Sequence, residues 1–218
     1  MIDAALGAMP RLQFGVRSVQ AATDAATPSL RATLSIAAEA GVSVLGLALN
    51  VDVRIAAERR RYSDAERGRL RELFGSDGDW DRSIGPIVWT RGTINVPAFE
   101  DSVDTTVILP CGYEFDMVAV KYATALEGGF IPVEILPTGT VFYRGGERML
   151  AGKLPWDTEI AFRIDVSTWR AAVDAVFNGT AWLRIDDRLL RRLQTYRAQH
   201  GLTTWDSTIE ALLSGREP

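Results

Sequence analysis

Apolar and polar residues alternate along most of the first 166 positions. Leu45, Leu47, Leu49, Val51, Val53 and Ile55 keep strict period two, and Gly46, Ala48, Asn50, Asp52 and Arg54 fill the other face. That pattern predicts a long, half-buried strand. Val42 and Val44 lie in the opposite phase, which predicts a bulge or a strand entry near 44–45. Shorter alternations predict strands at 11–19, 30–36, 86–96, 103–109, 130–136, 139–144, 147–153 and 160–166. Gly145-Gly146, between Arg144 and Glu147, reads as a hairpin turn.

Helical spacing interrupts this pattern and then replaces it. Ser63 and Glu66 form a capping box ahead of the apolar stripe Leu70, Leu73 and Phe74, and Gly75 stops the helix. The polar segment 76–83, which holds Trp80, reads as a loop. Phe115, Val118, Tyr122 and Leu126 predict a helix over 115–127, ended by Gly128-Gly129. Beyond 166, Ser167 caps a helix that runs to about Phe177, and Asp187 caps one bearing Leu189, Leu190, Leu193 and Tyr196. Gly201 stops that helix, and a last one spans Thr204 to Leu213. The expected fold is α+β: a mainly antiparallel β-sandwich with helical insertions and a C-terminal group of about three helices. No repeat or low-complexity linker divides the chain, so 1–218 reads as one domain, strand-rich over 11–166 and helical over 167–213.

Composition narrows the function. The net charge is −4 and the isoelectric point about 5.2, so the chain lacks the basic footprint of a nucleic-acid binder. All 24 basic residues are arginine except Lys121 and Lys153. Arginine stays charged and forms no Schiff base, which leaves two candidates for lysine chemistry. A lone cysteine, Cys111, permits no intrachain disulfide and fits a reducing compartment. No signal-peptide pattern opens the sequence, and no run approaches the roughly 20 apolar residues that span a bilayer. The expected location is the cytoplasm.

The inventory for chemistry is thin. One cysteine and one histidine, His200, cannot build a Cys₄, Cys₂His₂ or His₃ metal site within the chain, nor a four-thiolate iron–sulfur site. No cofactor is expected, and a carboxylate-only Mg²⁺ or Ca²⁺ site is the one metal site the inventory leaves open. Asp77, Asp79 and Asp81 alternate as a calcium loop begins, but Arg82 and Val88 stand where the loop needs glycine and glutamate. The sequence holds no nucleophile elbow, phosphate loop or dinucleotide fingerprint. Asp157 with Glu159 and Asp186 with Asp187 read as caps and turn residues. Arg59-Arg60-Arg61 and the Arg188, Arg191, Arg192 set read as solvated faces. His200 fits a helix C-terminus and Cys111 a small buried apolar residue. Core packing is the expectation for most of the six tryptophans. The residues that could line a pocket or an interaction surface are Tyr113, Asp116, Lys121 and Tyr122, close in sequence, and Trp156.

An ordered set of strings carries a resemblance. It runs through Arg59-Arg60-Arg61-Tyr62-Ser63, Leu73-Phe74-Gly75, Trp89-Thr90, Leu109-Pro110-Cys111 and Tyr113-Glu114-Phe115-Asp116. It continues through Lys121-Tyr122, Ala125-Leu126-Glu127-Gly128, Gly139-Thr140-Val141-Phe142-Tyr143 and Pro155-Trp156-Asp157. Ala181-Trp182-Leu183-Arg184 and Leu202-Thr203-Thr204-Trp205 complete it. The chain resembles, from about residue 12 to 213, an uncharacterised actinobacterial family of unknown function associated with gene clusters for nickel–iron uptake hydrogenases. The resemblance implies a non-enzymatic accessory or protein-interaction factor whose partner is a hydrogenase subunit or maturation factor. It implies no functional residue. Two other readings stay open: an enzyme with a carboxylate, Tyr and Lys site, and a sandwich that binds a small ligand such as a sugar. The purified protein is expected to be colourless and free of bound metal; elemental analysis showing stoichiometric nickel or iron would contradict this.

Overall fold

The computed structural model describes residues 9–76, 78–112, 117–177, 180 and 185–215. The chain forms two compact units, 1–178 and 179–218. The first carries two antiparallel sheets. Strands β1 (Leu12–Ala21), β2 (Ser29–Ala38) and β5 (Ser102–Pro110) pair in the order β1-β2-β5. Strands β3 (Val44–Ile55), β4 (Ile87–Val96), β6 (Phe130–Gly145), β7 (Arg148–Lys153) and β8 (Ile160–Asp165) form a five-stranded sheet. Its order is β4-β3-β6, and β7 and β8 share the far edge of β6. This is the expected α+β, sandwich-like architecture.

Alternation explains which face of each strand turns inward. Leu30, Ala32, Leu34 and Ile36 of β2 are buried, as are Leu47, Leu49, Val51, Val53 and Ile55 of β3. These residues join Trp89, Leu109, Ile131, Ile135 and Ile164 in one continuous core. The predicted irregularity near residue 44 is real: the β3–β6 register shifts between Val44 and Gly46. The extra residue lets Val44 and Leu47 both face the core despite their odd spacing.

The segments 130–136 and 139–144 are one strand of 16 residues rather than two. Pro137 and Gly139 look like breakers, but continuous pairing of β6 with β3, from Val133↔Ile55 to Phe142↔Gly46, carries the strand through them. Pro137 falls in the interval where neither β8 (residues 130–135) nor β7 (140–145) pairs, so its missing N–H breaks no ladder there. Gly139 has φ +154°, and a Cβ at that position would lie 2.1 Å from the carbonyl oxygen of Ala48. Close approach of two backbones demands glycine there.

Three helices of the first unit cover the sheets: α1 (Asp64–Phe74), α3 (Met117–Ala125) and α4 (Val166–Phe177). Ser63 caps α1 through both halves of the predicted box, accepting from Glu66 N at 3.2 Å and donating its own N–H to Glu66 Oε2 at 3.1 Å. The α4 helix begins one residue before the expected cap, at Val166, whose N–H donates to Gly129 O. Residues 80–83 form a short helix, α2, instead of a loop. Trp80 is buried there, edge-on to Tyr62 and Phe74, with the Arg67 guanidinium over its ring.

The Arg59–Arg61 run is not uniformly solvated. Arg60 is 9 % exposed at its side chain and pairs at 2.5 Å with Glu66, which is 4 % exposed. Arg60 also donates to Phe130 O at 2.5 Å and Gly128 O at 2.9 Å. Glu66 Oε1 accepts from Glu127 N at 2.9 Å as well. Arg69 donates to Ala125 O and Arg170 to Leu126 O. Three arginines thus meet carbonyls at and just beyond the C-terminus of α3, among them Ala125 O, one of those that the end of the helix leaves unbonded.

The second unit holds α5 (Asp187–Gln199) and α6 (Trp205–Ser214). Asp186 caps α5, one residue earlier than expected, by accepting from Arg188 N and Leu189 N. His200 caps its C-terminus, stacked on Tyr196 at 4.1 Å with Nδ1 2.9 Å from Tyr196 O. Removing one partner of a buried ion pair strands the other charge. Glu66→Ala is therefore expected to cost about 3–5 kcal/mol in urea unfolding. The double variant with Arg60→Met should cost less than the two single changes added together, since both remove one interaction.

Candidate functional site

The inward face of the five-stranded sheet makes the core, so the opposite face is left to side chains of the other phase. Across β4, β3 and β6 they stand in rows fixed by register. Thr93, Asn50 and Thr138 form one row, and Arg91, Asp52 and Leu136 the next. Arg54 and Glu134 follow. The first two rows, Arg54 and Pro137 line an open groove of about 630 Å³, and Trp156 stands beside them.

Trp156 is 92 % exposed. It sits on the connection 154–159, which runs from β7 to β8 past the unpaired interval of β6. Leu154 N–H donates to Gly139 O at 3.0 Å and anchors the start of that connection. Thr158 closes the turn, donating from both N and Oγ1 to Pro155 O at 3.2 and 2.8 Å. The indole is thus displayed at the tip of a hydrogen-bonded turn.

The electrostatics of this face are largely self-compensated. Asp52 Oδ2 lies 2.6 Å from Arg54 Nη2, and Asp52 Oδ1 lies 3.5 Å from Arg91 Nε. Arg59 meets Glu134 at 2.7 Å and Glu159 at 3.0 Å. Burial pushes the Asp52 carboxyl up, but the hydrogen bond and charge of Arg54, joined by Arg91, outweigh it and hold the group below the ordinary carboxylate range. Glu134 goes the other way: burial and the neighbouring Glu159 and Glu58 raise it against the pull of Arg59 and Arg54. Asp52 Oδ1 is buried and accepts no hydrogen bond from the described residues.

The residues singled out from sequence are dispersed. Tyr113 and Asp116 lie outside the described residues. Lys121 and Tyr122 are consecutive on α3 and therefore diverge by about 100° around the helix axis. Lys121 pairs with Glu72 on the surface. It lines a shallow depression of about 210 Å³ with Arg69, Leu73 and Thr124. Tyr122 is fully buried, its hydroxyl 2.7 Å from that of Tyr62, which donates in turn to Ala57 O at 2.6 Å. Burial raises both phenols, Tyr62 to about 12. Cys111 is buried and its thiol is pushed up to about 12, chiefly by burial. Among the candidates within the described residues only Trp156 reaches the groove. Asn50, Asp52 and Arg54 were visible as the polar phase of β3, but only strand pairing joins them to Arg91 and Leu136.

A family model described as a family of unknown function, DUF6084, matches residues 9–218. The chain belongs to that family. No curated protein matches it. Among solved structures it is similar to β-glucosidase 3B from Thermotoga neapolitana in complex with α-D-glucose, at 9 % identity and a TM-score of 0.28. It is also similar to a β-glucosidase from Kluyveromyces marxianus, at 5 % identity and a TM-score of 0.27. Each likeness covers 71 % of this chain, and only 17 % and 15 % of those proteins' own lengths.

The Asp52 shift sets a pH dependence with a definite sign. A carboxyl held low in the folded state stabilises the fold above its unfolded value, near 3.9, and that contribution disappears as pH falls through the folded value. Asp52→Asn lacks the contribution at every pH. The stability gap between the parent and Asp52→Asn in urea unfolding is therefore expected to be constant from neutral pH to about 5 and to close below about 4.

Proposed function

We propose that this protein is a non-enzymatic protein-interaction factor whose partner is a subunit or maturation factor of a nickel–iron uptake hydrogenase, met in the cytoplasm. The observation that carries the interaction reading is the second unit. Its two helices leave Leu189, Trp205, Ile209, Leu212 and Leu213 exposed, Leu213 to 66 %. No residue of α5 is fully buried, and in α6 only Thr208 is. Apolar residues gathered on a small helical unit favour burial against another surface, and exposed patches of this kind mark protein–protein contact. Arg197 lies over the Trp205 ring at 4.3 Å, which sets a cation beside that apolar set.

The state of the reactive groups favours binding over acid–base or nucleophilic chemistry. The Cys111 thiol and the Tyr62 and Tyr122 phenols are held protonated in the interior, and Lys121 is committed to Glu72. General acid–base catalysis works best with a group that titrates near the operating pH. The hydrogenase assignment of the partner rests on the resemblance of the ordered sequence strings.

Tagged full-length chain, expressed in its native host while the hydrogenase is made, should co-purify with hydrogenase subunits or maturation factors in near-stoichiometric amounts. The double change Leu189→Asp with Ile209→Asp should lower that yield at least about tenfold, the cost of losing a hot spot. A chain that purifies alone would sink the hydrogenase reading. A double variant that captures as much as the parent would remove the helical pair as the contact surface.

A further inference from the structure

The groove on the five-stranded sheet carries a combination that neither the fold nor the interaction reading uses. A tryptophan is displayed at 92 % exposure by a closed turn, beside two rows of polar side chains. We propose that this groove binds a neutral polyhydroxylated ligand, a pyranose sugar or a short oligosaccharide.

Three guanidiniums, Arg54, Arg59 and Arg91, are paired with three carboxylates, Asp52, Glu134 and Glu159. Three positive and three negative groups cancel on this face, so it offers a charged ligand of either sign little net attraction. The lining offers both kinds of hydrogen-bonding group at close intervals. Asn50 supplies donor and acceptor, Thr93 and Thr138 supply hydroxyls, and the largely exposed Arg91 supplies donors. Asp52 Oδ1 accepts no hydrogen bond from the described residues, and Arg91 Nε lies 3.5 Å from it. Vicinal hydroxyls, each both donor and acceptor, match that mixed array. A purely anionic group uses only donors, and a cation only acceptors. Leu136, Pro137 and the indole of Trp156 add the apolar area on which the C–H face of a sugar ring can lie. The volume, about 630 Å³, is within the ordinary range of small-ligand sites. The groove is on a sheet face rather than an edge, so an added peptide strand would find no backbone ladder to join.

This site belongs to the first unit and does not depend on the interaction reading, which concerns the helical pair. The test uses full-length protein and four probes: cellotriose, maltotriose, xylotriose and chitotriose. Binding is followed by calorimetry and by the indole N–H resonances, with the Trp156 signal assigned by its loss in Trp156→Ala. At least one probe is expected to bind with Kd of about 1 mM or tighter, and to move the Trp156 resonance. Trp156→Ala should weaken that binding about tenfold or more at unchanged thermal stability, since the indole packs on nothing that its loss would empty. Asp52→Asn should weaken it too. Silence with all four probes at tens of millimolar, or equal binding by Trp156→Ala, overturns the proposal. Either result leaves the pull-down outcome untouched.

Discussion

The pair formed by Arg60 and Glu66 ties together parts of the chain that no strand pairing connects. Glu66 is committed three ways: its Oε2 accepts from Ser63 N at the start of α1, and its Oε1 meets Arg60 and accepts from Glu127 N. Arg60 reaches on to the carbonyls of Gly128 and Phe130, where β6 begins. The start of α1, the end of α3 and the start of β6 are thereby fixed by one side-chain pair. Removing two charges from water is costly, and the cost is met only where remaining donors and acceptors find partners. Here nearly all do, and Arg60 Nε alone of that group lacks one. Such a pair specifies an arrangement more than it adds stability, because a mis-docked α1 or α3 would leave a charge buried and alone.

That fixed corner has consequences for the sheet. Val166 N–H bonds Gly129 O, so the first residue of α4 is tied to the same turn that Arg60 holds. From Phe130 the long strand β6 runs the length of β3 and supplies one edge of the groove. Its far edge is shared by β8 and β7, and the connection between those two strands has to cross the interval left between them. Trp156 is placed on that crossing. The exposed indole beside the polar rows is therefore a product of how the edge of β6 is divided, and the division is marked by Pro137 and Gly139.

Whatever depends on neighbours within a few residues was legible in the sequence. The alternation of β3 shows because one face is buried, and the Ser63–Glu66 box shows because both halves of it lie within one turn. The bulge near Val44 was readable as a change of phase. Arg60 was not readable as a buried residue, since the carbonyls that hold it lie about 70 positions away in sequence. Trp80 sits among acidic residues in sequence and among Tyr62 and Phe74 in space. The continuity of β6 was hidden by two residues with poor strand propensity, overridden by pairing to β3. For the groove, the polar phase of β3 was visible, but its role was not. A polar outer phase is what any half-solvated strand shows, and only register sets Arg91 and Leu136 beside Asp52.

The two kinds of polar cluster in this molecule differ in a way that separates support from recognition. Around Arg60 the donors and acceptors are enclosed and, apart from Arg60 Nε, satisfied, so the cluster has little that a ligand could reach. On the outer sheet face the charges are also paired, but Asp52 Oδ1 lacks a hydrogen bond and the Arg91 side chain is 68 % exposed. A ligand hydroxyl can replace the long Arg91 contact with a shorter one without stranding a charge, because Arg54 still holds Asp52 at 2.6 Å. Paired but reachable charge of this sort suits selection among neutral polar ligands, since binding exchanges one long contact for a hydrogen bond and leaves the Asp52–Arg54 pair standing. The same balance makes the face a weak attractor for highly charged partners. A large protein partner would draw instead on apolar area, and that is concentrated on α5 and α6. The two proposed binding functions, for a small polar ligand and for a protein, thus call on surfaces of different chemistry, and each can be altered without touching the buried pair at Arg60 and Glu66.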